Sequence, residues 1–218
     1  MMKRKILSIL LTLAMTLTLL PATAMAGDVK GVQCDGGDGC NHKVAAIYDG
    51  SAGENPGEYH YDTLQAAITN GTNDYYGNFK LLDDVQEDIV VGEGRIAGKY
   101  ITLDLNGHTI TNAKSDTITV QKRGKLTITG SGTVDNVTDG RAPIYNNGTC
   151  TLSGGNYTRS KEAADNTTTS SGGNSYYNIL NHGEMTIGSG VSVTSSGHFS
   201  SLVANGYYDY SAKDKGDR

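Results

Sequence analysis

The chain of 218 residues has no tryptophan and only two phenylalanines. Large aromatic side chains dominate the energetics of a thick core, so a broad, many-layered interior is excluded. Long apolar runs are missing beyond residue 20. A membrane helix needs about 20 consecutive apolar residues, and no later segment qualifies. Positive charge is scarce as well. Residues 1–26 hold Lys3, Arg4 and Lys5 and no acid, so the net charge of −5 becomes −5 − 3 = −8 for residues 27–218. That sign speaks against nucleic acid or anionic lipid as a partner.

Residues 1–26 have a basic start, an apolar run from Ile6 to Leu20, and Ala24-Met25-Ala26 as a small-x-small cleavage site. This pattern reads as a secretory signal peptide. A membrane anchor is the rival reading, but Thr12, Thr16, Thr18 and Pro21 interrupt a stretch that is too short. No cysteine follows the site, so no lipid linkage is expected. The expected location is secreted or at the cell surface, with no membrane insertion of the mature chain. In that compartment Cys34 and Cys40, which enclose DGGDG, read as a disulfide closing a small loop. Metal binding is the alternative, with His42, Asp35 and Asp38 nearby, yet one short loop offers too few placed ligands for a structural zinc site.

What the chain does have is a repeat. Ile101-Thr102-Leu103, Leu126-Thr127-Ile128, Cys150-Thr151-Leu152 and Met185-Thr186-Ile187 share apolar, Thr, apolar, the last three following Gly124, Gly148 and Gly183. The steps are 25, 24 and 35 residues, and a degenerate copy, Tyr208-Asp209-Tyr210 after Gly206, follows 23 residues later. Val120, Ile144, Ile179 and Leu202 each stand four residues before their glycine and form a second mark in phase.

Self-similarity at such a period signals stacked units, none of which buries its apolar face alone. Period-2 alternation turns Leu126 and Ile128 one way and Thr127 and Thr129 the other. A period near 24 suits a coil of three short strands, each pairing in parallel with its equivalent above and below. The expected fold is therefore all-β, a parallel β-helix of about five coils. A narrow shaft of Ile, Leu and Val with turns of Gly and Asn needs no tryptophan. The 35-residue step carries 35 − 24 = 11 extra residues, which the polar run from Arg159 to Asn174 supplies as a loop. Cys150, equivalent to Leu126 and Met185, reads as a small buried apolar residue.

Residues 27–58 are rich in Gly and Asp and read as a linker holding one strand or hairpin at Val44 to Tyr48. Residues 59–98 read as a capping helix and an irregular first coil. Asp62-Thr63-Leu64-Gln65 resembles a capping box, and Asn70-Gly71 stops the helix. Such a short helix must dock, and the open N-terminal end of a β-helix is a natural place. Phe79-Lys80-Leu81-Leu82 and Asp88-Ile89-Val90-Val91 read as strands of the irregular coil. Regular coils occupy residues 99–218, which end without a comparable plug. Truncation of a longer repeat protein is the expectation, with a disordered last coil or a covering partner as alternatives.

The stretch from Tyr61 to Thr111 (YDTLQAAITNG, KLLDDVQEDIVV, LDLNGHTIT) resembles a segment of large exported proteins of Gram-positive bacteria, which are similar to the pectin-lyase-like superfamily of right-handed β-helices. The resemblance covers about residues 44–200. It implies a right-handed stack and a surface role, or a polysaccharide lyase or glycoside hydrolase, since that superfamily includes both. Fold analogy alone selects neither.

The residues weigh against chemistry. A calcium-dependent lyase needs carboxylates converging on one metal, and a paired-acid hydrolase needs two within several ångströms. Asp104 faces outward, but its equivalents are Thr129, Ser153 and Gly188. Asp83, Asp84, Glu87 and Asp88 read as a solvated turn in preference to a cation site, His108 as an exposed turn residue, and Asn181-His182-Gly183 as a turn leading into a strand. No catalytic residue, metal or cofactor is expected. Thr102, Thr127, Thr151 and Thr186 should form an outward ladder. Tyr75, Tyr76, Tyr176 and Tyr177 are the candidate ligand-contact aromatics, because exposed rings stack on sugars and anchor proteins. The expected function is a noncatalytic exported surface or adhesin-like module contacting glycans or proteins. The alternative is a carbohydrate-active enzyme.

Overall fold

Short strands that alternate inward and outward side chains bury a core only by stacking, and a computed structural model of the chain has that form. Residues 31–33, 40–51, 53, 55–138, 140–160, 176–195 and 201–206 are described. The expected signal peptide, Cys34, most of the expected Arg159–Asn174 loop and the Tyr208-Asp209-Tyr210 copy lie outside them.

The chain opens with β1 (Val44–Tyr48), β2 (Gly57–Tyr61) and the helix α1 (Leu64–Asn70). It then winds through three sheets. Sheet A stacks β3 (Tyr76–Leu81), β6 (Tyr100–Asp104), β9 (Lys125–Thr129), β12 (Thr149–Leu152) and β15 (Glu184–Ile187) in parallel. Sheet B stacks β4 (Val85–Gln86), β7 (Thr109–Thr111), β10 (Thr133–Asp135), β13 (Gly155–Thr158) and β16 (Val191–Thr194). Sheet C stacks β5 (Ile89–Val91), β8 (Ile118–Val120), β11 (Ile144–Asn146), β14 (Tyr177–Asn181) and β17 (Ser201–Asn205). From β3 to β15 the chain completes four turns, and β16 and β17 begin another.

The recurring phrase sets the register. Ile101, Leu126, Cys150 and Met185 lie over one another, as do Leu103, Ile128, Leu152 and Ile187. Ile110, Val134 and Tyr157 of sheet B and Ile118, Ile144 and Ile179 of sheet C complete a core in which these six are fully buried. Each such side chain contributes about 1.5–3 kcal/mol by leaving water.

The second mark is only half in phase. Ile144 pairs with Ile179 as expected, but both align with Ile118 and Val203, while Val120 lies opposite Asn146. Counting back from the glycine fails because the turn Gln121-Lys122-Arg123-Gly124 is longer than Asn147-Gly148. The later turns shorten around an asparagine ladder whose first two members, Asn146 and Asn181, are buried. Asn146 Nδ2 donates to Asn181 Oδ1 at 2.6 Å, and Asn181 Nδ2 donates to Asn205 Oδ1 at 2.6 Å. Asn146 and Asn181 also hold their own turns, since Asn146 Oδ1 accepts from Gly148 N–H at 3.0 Å and Asn181 Oδ1 from Gly183 N–H at 3.3 Å. The glycines are required by contact. A Cβ on Gly148 would sit 2.5 Å from the Gly124 carbonyl oxygen, and one on Gly183 would sit 2.2 Å from that of Gly148.

The N-terminal end is closed by more than a helix. β1 pairs antiparallel with both β2 and β3, and Val44, Ala45 and Ala46 are fully buried. The expected linker thus supplies core from residue 44 onward, and its boundary at 58 falls inside β2. The first coil is not irregular either, because β3, β4 and β5 pair in register with β6, β7 and β8. Thr63, not Asp62, caps α1, its Oγ1 accepting Ala66 N–H at 3.2 Å. Gln65, expected to fold back on the cap, instead binds the Val90 main chain, accepting its N–H at 2.7 Å and donating to its C=O at 3.2 Å. Glu87 of the first coil accepts the Leu64 and Gln65 amides at 2.8 and 3.0 Å. Leu64, Ala67 and Ile68 are fully buried beneath this stitching.

Candidate binding face on the outside of sheet A

Outward side chains of sheet A fall into columns whose members are about 4.8 Å apart, the spacing of paired strands. One column runs Tyr76, Tyr100, Lys125, Thr149, Glu184, and beside it runs Asn78, Thr102, Thr127, Thr151, Thr186. The threonine ladder is thus present as expected. Tyr100, Thr102, Lys125, Thr127, Thr149 and Thr151 line a shallow groove across three coils. Tyr100 is 62% exposed, and Lys125 Nζ rests 4.1 Å from its ring centroid. Such a cation–π contact contributes about 0.5–1 kcal/mol at an exposed site and holds the ring upright. Lys125 makes no ion pair among the described residues.

The four expected aromatics do not form one site. Tyr75 is 70% exposed just before β3, and its C=O accepts the Tyr100 N–H at 3.0 Å. Tyr76 belongs to the column but is committed to structure. Its hydroxyl donates to Asp49 Oδ1 at 2.9 Å and touches Ser51 Oγ. Hydrogen bonds from Ser51 and Tyr76 hold the Asp49 carboxyl below its usual range. Tyr176 and Tyr177 lie at the corner between sheets B and C, their centroids 5.0 Å apart, with the Arg159 guanidinium 5.7 Å from the Tyr176 ring. Partial burial pushes the Tyr176 hydroxyl up, and both rings are half-buried. Tyr100 was missed by the sequence reading, although its position two before Thr102 already turns it outward.

Asp83 and Asp84 are exposed in the turn between β3 and β4, as expected, whereas Glu87 and Asp88 are half-buried and hold backbone amides. Besides Glu87 on α1, Asp84 accepts Thr109 N–H at 2.8 Å, and Asp88 accepts the amides of Ala113, Lys114 and Ser115 at 2.8, 3.0 and 3.1 Å. The same latch recurs up the B–C corner. Asp116 takes Ala142 N–H at 2.6 Å, and Asp135 takes Ser160 N–H at 2.7 Å. Each latch spans 25 to 27 residues, so each carboxylate fastens the loop of the next coil. Asp88 is partly desolvated, which raises its pKa, but the amides of Lys114, Ser115 and Ala113 prevail and hold it low. Burial pushes the Asp116 carboxyl up against the opposing Ala142 amide. Asp104 closes its own turn, accepting Asn106 N–H at 2.9 Å, and lies over Thr129 as expected.

Among the described residues no group of His, Cys, Asp and Glu is arranged to hold a metal ion. His108 is half-buried, not exposed, with Nδ1 3.6 Å from Asp84 Oδ1. His182 sits in the turn before β15 with its ring edge-on to Tyr145 at 5.4 Å. Cys150 is free and fully buried, and desolvation pushes its thiol up to about 12. The Cys34–Cys40 pairing has one partner outside the described residues. No helix among them is long and apolar enough to cross a membrane. The sequence matches no protein-family model, no curated protein and no solved structure.

Proposed function

We propose that this parallel β-helix is a noncatalytic, exported module of a bacterial surface or adhesin-like protein, and that it binds glycans through the outer face of sheet A. The observation that carries this reading is Tyr100, an exposed ring propped by Lys125 beside a ladder of threonine hydroxyls. A sugar stacks its C–H face on such a ring and bonds its hydroxyls to the threonines and the ammonium. Export is supported by the leader pattern of residues 1–26 and by Cys34 and Cys40, which suit an oxidising compartment. The resemblance of residues 44–200 to pectin-lyase-like surface proteins of Gram-positive bacteria points the same way. A binding role is also supported by the employment of Asp84, Glu87, Asp88, Asp116 and Asp135 as acceptors for backbone amides, which leaves these carboxylates holding loops.

The test is a glycan array probed with the wild-type chain and with Tyr100→Ala, alongside assays for reducing or unsaturated ends from pectin-like polymers. Binding is expected, weakened about tenfold or more by Tyr100→Ala, as for a central aromatic anchor. Turnover of any polymer, or binding indifferent to Tyr100, would overturn the proposal.

A further inference from the structure

The end of the stack formed by β15, β16 and β17 differs from the coils beneath it. Cys150, Leu152 and Ile179 are fully buried, yet their partners one strand on are not: Met185 is half-buried, Ile187 is 44% exposed and Val203 is 43% exposed. The interface that buries the same columns four times within the chain has its next copy here, uncovered by described residues. Backbone polarity is one-sided too. Glu184 and Gly188 donate their N–H groups to the Gly148 and Leu152 carbonyls at 2.8 and 2.7 Å. Alternate residues of a parallel strand serve opposite neighbours, so Met185 and Ile187 turn their N–H and C=O groups to the open edge.

The chain itself arrives at that edge. Gly206 N–H bonds the Asn181 C=O at 2.8 Å, repeating His182 on Asn146 and Asn147 on Val120, both at 2.7 Å. In those two coils the turn delivers the chain into β15 and β12. Asn205 occupies the third rung of the asparagine ladder, so the corner begins as in the two coils beneath. The residues that follow, Gly206-Tyr-Tyr-Asp-Tyr, stand in phase with Gly183-Glu-Met-Thr-Ile.

We propose that residues 207–210 dock on β15 as the next parallel strand of sheet A, with Tyr208 covering Met185, Tyr210 covering Ile187, and Tyr207 and Asp209 facing outward. These residues lie outside the described part of the structure. A turn as long as Asn181-His182-Gly183 would shift the strand by one and set Asp209 on Met185, and burying a carboxylate on an apolar surface is costly. Gly206 favours the shorter turn, because its φ of 105° is a conformation that neither Asn147 nor His182 adopts.

Residue-resolved hydrogen exchange decides this. In the full chain the Met185 and Ile187 amides should be protected to the level of Thr186, whose N–H faces β12. Ending the chain at Gly206, or substituting Tyr208→Asp with Tyr210→Asp, should speed exchange at Met185 and Ile187 by about tenfold or more, a change of about 1.4 kcal/mol, with Thr186 unchanged. The outward pair Tyr207→Ser with Asp209→Asn should leave all three protected. Free exchange at Met185 and Ile187 in the full chain overturns the proposal. So does protection that survives the truncation and rises with protein concentration, which would make a second copy the occupant. Loss of protection with the outward pair alone would establish the other register and refute this one.

Discussion

Replacing Asn181 by alanine probes the strongest polar element of the stack. Its side chain accepts from Asn146 Nδ2 at 2.6 Å and Gly183 N–H at 3.3 Å, and donates to Gly183 C=O at 3.0 Å and Asn205 Oδ1 at 2.6 Å. The residue is only 4% exposed, so water does not readily replace what is lost. A net contribution of about 0.5–1.5 kcal/mol per hydrogen bond gives about 2–6 kcal/mol for the set. Asn146 Nδ2 retains the Glu184 carbonyl at 2.9 Å, which limits the loss, and about 2–4 kcal/mol is expected. For a domain of this size each kcal/mol moves Tm by roughly 2–4 °C, so the midpoint should fall by roughly 4–16 °C in a thermal melt followed by circular dichroism. Asn181→Asp keeps shape and acceptors but sets a carboxylate oxygen against the Gly183 and Asn205 oxygens, and at neutral pH should cost at least as much as alanine. A fall of less than 2 °C for alanine, in a melt that remains cooperative, would show that the ladder adds nothing to coil stacking.

Gly148→Ala should destabilise by about 1–3 kcal/mol through overpacking, since its Cβ would meet the Gln121 and Gly124 carbonyl oxygens at 2.4 and 2.5 Å; urea titration reads the loss, and an unchanged midpoint would contradict the contact. Cys150, with a buried thiol pushed up to about 12, should ignore a thiol-specific reagent at mildly alkaline pH until denaturant is added; labelling at the rate of a free thiol in the folded chain would place it elsewhere. Asp116 has a folded pKa raised above its unfolded value, so its ionisation costs stability as pH rises through that range. Asp116→Asn, which keeps an oxygen for the Ala142 amide, should therefore stabilise the chain at neutral pH, with the gain shrinking toward acid pH as the wild-type carboxyl protonates. A gain that grows on acidification would reverse that sign.

The stacking of coils was legible because one phrase states it in every copy: Leu126, Cys150 and Met185 share a register that alternation and period specify. The first coil was less legible. Its strands, around Phe79 and Ile89, lack the turn glycine and central threonine, so only partners in space show that they belong to the same winding. Asn181 read as an ordinary turn residue, since the ladder joins it to Asn146, 35 residues away, and no local pattern encodes that. Glu87 and Asp88 looked like free acids for the same reason, because their acceptor work is done on α1 and on the loop at 113–115. At the candidate site the threonine column was readable and Tyr100 was within reach of the same alternation. The dispersal of Tyr75 and Tyr76 from Tyr176 and Tyr177 follows from their lying on different sheets and different coils.

Closure of one end by β1, β2 and α1 also gives assembly a direction. Every strand from β6 onward pairs with one made earlier, in the coil before it. A chain leaving a ribosome or a secretion pore amino end first can therefore add rungs as they emerge, much as a crystal grows from a seed. On this view the hairpin and helix are the seed, and damage there should delay the whole molecule, whereas damage near β15 should delay only the last rungs.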